Sequence, residues 1–204
     1  MSKQIVILLH GVGSNGADLQ GLGDFWAESF PGLTCIAPDA PFPCDMGSGY
    51  QWFSVNGVTD ENRPARIAEA RTSFDAALQK IFSQYGITPE DEVVLTGFSQ
   101  GSIMALDALA RAAFPLAGVI AFSGRLASPP PLHPAPGSKV LLIHGQDDQV
   151  IPWTESRHAE QQLTAAGVEV TSFYQPGVPH TISGEGVAEA TDFIQQCFDL
   201  PDDE

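Results

Sequence analysis

Positive charge is what this chain has least of. Three lysines (Lys3, Lys80, Lys139) and six arginines stand against 25 acidic residues, giving a formal net charge of −16. Nucleic acid and anionic membrane surfaces are bound through clustered Lys and Arg, so neither is expected as a partner. Long apolar runs are missing too. None approaches the roughly 18 residues of a membrane span, which argues against membrane insertion. Cysteine is rare: Cys35, Cys44 and Cys197 are too few and too scattered for a disulfide framework. No Cys-x-x-Cys or His–Cys cluster suggests zinc or another metal, and the three thiols read as small hydrophobes. A secretory signal is also lacking, because Lys3-Gln4 leads straight into the short run Ile5–Leu9 with no cleavage site, which favours a cytoplasmic location. Part of the acidic excess is a tail, Asp199–Glu204, read as a solvated end.

What remains is ordinary globular material. With 43% hydrophobic and 17% charged residues over 204 positions, residues 1–204 are expected to form one domain with a substantial core. Short runs rich in Val and Ile (Ile5–Leu9, Thr34–Ala37, Val93–Thr96, Gly118–Phe122, Val140–Ile143, Glu169–Tyr174) read as strands. Most are continuously apolar, as parallel strands covered on both faces should be. Between them lie helical candidates: Ala17–Phe30, Arg63–Tyr85, Gln100–Ala113, Thr154–Gly167 and Gly184–Phe198. The order predicts an α/β fold, a parallel sheet with right-handed crossovers and helices on both faces. Functional sites in such sheets form beyond the carboxyl ends of the strands. Two stretches carry no period: Pro38–Asp60, rich in Pro, Gly and aromatics, and the proline-rich Ala127–Gly137, read as a surface excursion.

Gly97-Phe98-Ser99-Gln100-Gly101 fits the nucleophile-elbow pattern G-x-S-x-G. By chance alone the pattern occurs in roughly one 200-residue chain in fifteen, so context matters. Here a strand (Val93–Thr96) runs in and a helix (Ser102–Leu106) runs out, which distinguishes an elbow from a glycine-flanked N-cap serine. A serine hydroxyl needs a base. Of the five histidines, His10 and His144 end apolar runs, His133 lies in the proline-rich stretch, and His158 sits inside a helix. His180 follows the last strand and fits the chain order Ser, acid, His. The acid belongs after the penultimate strand, where Asp147 and Asp148 stand side by side, and the residues alone do not choose between them. The oxyanion hole needs the amide of Gln100 and one from Leu9-His10-Gly11-Val12-Gly13-Ser14-Asn15-Gly16, with Val12 the best donor. That loop is also literally a G-x-G-x-x-G after a strand, with Asp39 about where a dinucleotide site wants its acid. The dinucleotide alternative leaves Ser99 and His180 without a purpose.

Assembled, these residues resemble the carboxylesterase/phospholipase family of α/β-hydrolases that includes acyl-protein thioesterases, closest to its small bacterial members. The resemblance spans nearly the whole chain. It rests on Leu9–Gly13, Ala37-Pro38-Asp39-Ala40-Pro41, Trp52-Phe53, Gly97–Gly101, His144–Asp148 with Val150-Ile151-Pro152, and His180. It implies an α/β-hydrolase fold, reduced to about six strands because the chain enters its oxyanion strand almost at once. It also implies Asp148 as the acid, Val12 and Gln100 amides as the oxyanion hole, no cofactor, and an open acyl pocket without a large lid. Two features depart from the pattern: Pro179 stands where the family often has Gly, and the segment before Trp52 is shorter than in the thioesterases.

The activity expected is hydrolysis of small carboxylic esters with small to medium acyl chains through an acyl-enzyme. Trp52, Phe53 and Ile151 are the candidates for substrate binding. The alternative is an acyl thioesterase or lysophospholipase acting on longer chains. A non-catalytic binding protein on the same fold should lack a triad member, and none is lacking here. Aromatics in Tyr50–Phe53 offer either a pocket wall or a homodimer contact.

Overall fold

The computed structural model describes residues 2–200, so the last four residues of the acidic tail lie outside it. The chain builds a six-stranded parallel sheet in the order β2-β1-β5-β6-β7-β8. Its strands are β1 (Gln4–Leu9), β2 (Thr34–Ile36), β5 (Glu92–Phe98), β6 (Gly118–Phe122), β7 (Lys139–Gly145) and β8 (Glu169–Gln175). Five helices connect or flank them: α1 (Ala17–Ser29), α2 (Arg63–Gln84), α3 (Gln100–Ala110), α4 (Thr154–Ala165) and α5 (Gly184–Phe198). Every element expected from the periodicity is present, with ends shifted by at most three residues. The expected parallel α/β sheet of about six strands with helices on both faces is the observed architecture.

The continuous apolar strands are explained by two cores. Successive side chains of a strand point to opposite faces. Ile5, Ile7 and Leu9 therefore pack with Phe74, Leu78 and Met104 under α2, α3 and α4. Val6 and Leu8 pack with Trp26, Ile194 and Phe198 under α1 and α5. Helix α3 is buried along its whole length, and Asp107 within it is held by Arg71, Arg111 and Ser128. A charge placed there is tolerated only because each carboxylate oxygen is bonded.

The aperiodic stretches fold back onto this body. Within Pro38–Asp60 a small antiparallel hairpin forms, β3 (Phe42–Pro43) with β4 (Tyr50–Gln51), which the pattern gave no sign of. Ala127–Gly137 carries the chain from β6 to β7 without a helix, tied down by the His133 amide on the Ala110 carbonyl. No described helix is long and apolar enough to cross a membrane.

Candidate active site

The elbow is formed where β5 meets α3. Ser99 sits there at φ 56°, ψ −117°, a strained conformation for a side-chain-bearing residue, and its amide donates to the Phe122 carbonyl at 3.0 Å. The flanking glycines are sterically required. A Cβ on Gly97 would come 2.4 Å from the Ser102 nitrogen, and one on Gly101 only 2.0 Å from the Leu9 carbonyl oxygen. Ser99 occupies the N-cap position of α3 yet its side chain makes no cap bond. Its hydroxyl is directed at His180 instead.

His180 Nε2 lies 3.1 Å from Ser99 Oγ, and its Nδ1 lies 2.7 Å from Asp148 Oδ2. Carboxylates only accept, so Nδ1 carries the proton and Nε2 is left to take one from the serine. The ring rests against Phe98, with centroids 4.8 Å apart. The loop carrying it is stitched to the acid loop: Gln146 and Asp147 amides donate to the carbonyls of Gln175 and Val178. Gly145 allows that approach, since a Cβ there would meet the Val178 oxygen at 2.1 Å. Pro179 leaves this register intact.

Asp148 is buried and Asp147 exposed. Asp148 Oδ1 accepts the amides of Val150 and Ile151 at 2.8 and 2.9 Å. Burial pushes its carboxyl upward, but the bonds from His180 and from those two amides outweigh it and hold it below the usual carboxylate range. His144 Nε2 lies 3.2 Å from Asp148 Oδ2 and donates to the Ile151 carbonyl, while its Nδ1 meets the Ser156 hydroxyl. Burial, the largest influence, keeps His144 below its ordinary value, hence neutral. From sequence His144 is expected only to end its strand; its contact with the acid is signalled by the four-residue spacing from Asp148.

The glycine loop after β1 presses against the nucleophile, and a Cβ on Gly11 would sit 3.3 Å from that of Ser99. Its shape is set from outside. The Gly13 amide donates to the Tyr50 carbonyl, the Gly16 amide to Asp39 Oδ1 at 2.8 Å, and the Ala40 amide to His10 Nε2. Asp39, the acid a dinucleotide site would need, is thus engaged in holding the loop. Among the described residues, neither the Val12 nor the Gln100 amide has a protein acceptor. The Gln100 side chain, whose role no local pattern reveals, accepts the Trp52 amide at 2.7 Å and donates to the Phe53 carbonyl at 2.8 Å.

The remaining candidates lie beneath the site. Trp52 is 1% exposed, donates its indole N–H to the His10 carbonyl, and packs edge-on against Phe74. It and Phe53 border a cavity of about 570 Å³ between the hairpin and α2 whose lining includes no member of the Ser99–His180–Asp148 set. Ile151 is buried in the α2–α4 core. Trp52 and Phe53 therefore present no exposed aromatic surface to a second copy; Tyr50 and Phe42 do. A cavity of about 300 Å³ does touch His180, bounded by Gly11, Asp18, Leu19 and Ile182. Burial pushes the thiols of Cys35 and Cys197 up to about 12 and about 11, so neither is a rival nucleophile.

Comparison with known proteins agrees with this geometry. The model of the phospholipase/carboxylesterase family matches residues 1–198. Esterase YpfH of Escherichia coli K12 is 32% identical over 95% of this chain and 83% of its own length. Acyl-protein thioesterase 1 of Debaryomyces hansenii is 25% identical over 97% of this chain and 92% of its own. The crystal structure of esterase PE8 superposes with a TM-score of 0.87 at 39% identity, covering 96% of this chain and 93% of that one. With Ser99, His180 and Asp148 connected as the reaction demands, the chain belongs to the phospholipase/carboxylesterase family and is a serine hydrolase of the carboxylesterase type.

Proposed function

We propose that the protein hydrolyses carboxylic esters of small to medium acyl chains, with Ser99 as nucleophile, His180 as base and Asp148 as orienter. The observation that carries this is the His180 bridge, 3.1 Å to Ser99 Oγ and 2.7 Å to Asp148. His180 takes the hydroxyl proton as Oγ attacks the ester carbon. The oxygen of the tetrahedral intermediate gains negative charge and is received by the free amides of Val12 and Gln100. Imidazolium then gives its proton to the leaving alkoxide, and the acyl group stays on Ser99. Water, activated by His180, releases the acid and restores the serine. Ionised Asp148 stabilises the imidazolium throughout, and no cofactor is called upon.

The limit on acyl length is supported by what roofs the site. Within the two long excursions the apolar side chains of Trp52, Phe53 and Ala127 are buried in the body and so do not roof Ser99. The cavity of about 300 Å³ at His180 lies on the leaving-group side, and the space beyond β6 beside Leu126 is smaller, about 200 Å³, room for about seven water-sized groups. A series of p-nitrophenyl esters tests the reading. Each buried methylene adds about 0.8 kcal/mol, so kcat/KM should climb a few-fold per carbon and turn over between roughly four and eight carbons. Ser99→Ala should abolish turnover at every length. The identity to an acyl-protein thioesterase favours one second reading, and activity that keeps rising to palmitoyl thioesters would establish it in place of the first.

A further inference from the structure

One cation on the reacting edge has no protein partner. Five of the six arginines are engaged: Arg71 and Arg111 with Asp107, Arg63 with Asp60, Arg66 with the carbonyls of Ser54 and Asn56, and Arg157 over the Trp153 ring. Arg125, among the described residues, makes neither a hydrogen bond nor an ion pair. In the chain it follows closely on the strand end that borders the elbow. The Phe122 carbonyl accepts the Ser99 amide, and Arg125 follows three residues later, so its Cα lies within about 11 Å of that of Phe122.

A cavity of about 200 Å³ opens beside it, walled by Arg63 and Pro64 at the start of α2, by Leu126, and by Glu155 at the start of α4; the triad does not line it, so only the far end of an acyl group could reach it. Asp60 also borders it, but its carboxylate is taken by Arg63 at 2.7 Å. Glu155 attracts Arg125 through space without reaching ion-pair distance. Burial first, then repulsion from Arg63, holds the guanidinium below its ordinary value despite Glu155 and Asp60. A guanidinium carries five donors in a planar fork that matches a carboxylate.

Substrate geometry says which end of an ester would meet it. The carbonyl oxygen is drawn toward the loop after β1, on one side of β5. The leaving group must face His180, whose cavity lies on the α1 and α5 side. The acyl group is left to run across β6 toward α2 and α4, where Arg125 stands. We propose that Arg125 anchors a carboxylate at the far end of the acyl group, so that half-esters of short dicarboxylic acids are preferred substrates. The proposal rests on Ser99 acting as the nucleophile.

Monoethyl adipate and ethyl hexanoate differ by that carboxylate, and their hydrolysis is followed by titrating released acid at constant pH. The readout is the ratio of kcat/KM for the first over the second. A charge-assisted pair predicts that Arg125→Gln lowers this ratio about ten- to a hundredfold. Glu155→Gln should raise it several-fold, and added salt should lower it in the parent. A ratio within twofold of the parent in Arg125→Gln overturns the anchor, since loss of folding cancels in a ratio. Failure of the hydrolase reading looks different: the parent would not turn over ethyl hexanoate at all. Calorimetry of adipate against Ser99→Ala protein judges the anchor independently of turnover. Binding lost on adding Arg125→Gln supports it, and binding indifferent to Arg125, or none, sinks it.

Discussion

Asp148 turns both oxygens inward, one to the amides of Val150 and Ile151 and the other to His180, while its neighbour Asp147 is exposed and contributes its amide to the Val178 carbonyl. Which of two adjacent side chains faces the site is decided partly by the local amides of Val150 and Ile151 and partly by His180, 32 residues on, and the second of these leaves no trace in the local sequence. The elbow is the opposite case. Its two glycines are demanded by backbone atoms within the motif and one strand away, so Ser99 was legible from the residues themselves. Asp148→Asn tests the assignment. The new amide would donate to Nδ1, forcing the His180 proton onto Nε2, where it can no longer accept from Ser99. The loss in a related triad is about 10⁴ in kcat. Asp147→Asn, with no side-chain bond to lose, should stay within about twofold, since surface changes of this kind perturb little. Steady-state rates on one short ester compare the two, and equal losses would overturn the assignment.

The elements most easily read were those with a period: six apolar strands and five helices, each recoverable because burial on two faces or one leaves a repeating trace. The β3–β4 hairpin left none. Its strands are two residues each, and Tyr50 is held by the glycine loop, giving its carbonyl to Gly13 and its amide to the Ser14 carbonyl. Trp52 follows directly and wedges between the end of β1 and α2, so the excursion braces the glycine loop after β1. Trp52→Ala should accordingly act first on stability. Removing a fully buried indole and its bond to the His10 carbonyl is expected to cost about 3–5 kcal/mol in denaturant unfolding. Turnover should fall by a similar factor for acetate and hexanoate esters, because the loosened part is the loop carrying Val12. A Trp52→Ala protein of parental stability whose loss is confined to longer esters would instead put Trp52 in the acyl pocket.

Acid sensitivity belongs to the molecule as a whole, and two histidines outside the reaction set where it begins. His10 and His144 are buried, and burial outweighs their hydrogen bonds and nearby carboxylates, so both ionise below the ordinary value of 6.5. In the unfolded chain they return to that value. Below pH 6.5 the unfolded state therefore binds protons that the folded state refuses, and stability falls as pH falls. Each histidine contributes at most about 1.4 kcal/mol per pH unit. Asp148 acts in the same direction but later: its depressed carboxyl stabilises the fold above about pH 4, and that contribution is lost only as pH drops further. At 2–4 °C per kcal/mol for a chain of this size, the melting temperature should drop between pH 7.5 and 5.5, by no more than roughly 10 °C. Scanning calorimetry in buffers of matched ionic strength measures it. Replacing His10 and His144 together by Asn should flatten the slope even if it lowers the melting temperature throughout. A flat or rising melting temperature in the parent would mean that the imidazoles are protonated in the folded state, and the neutral His144 beside Asp148 would have to be abandoned.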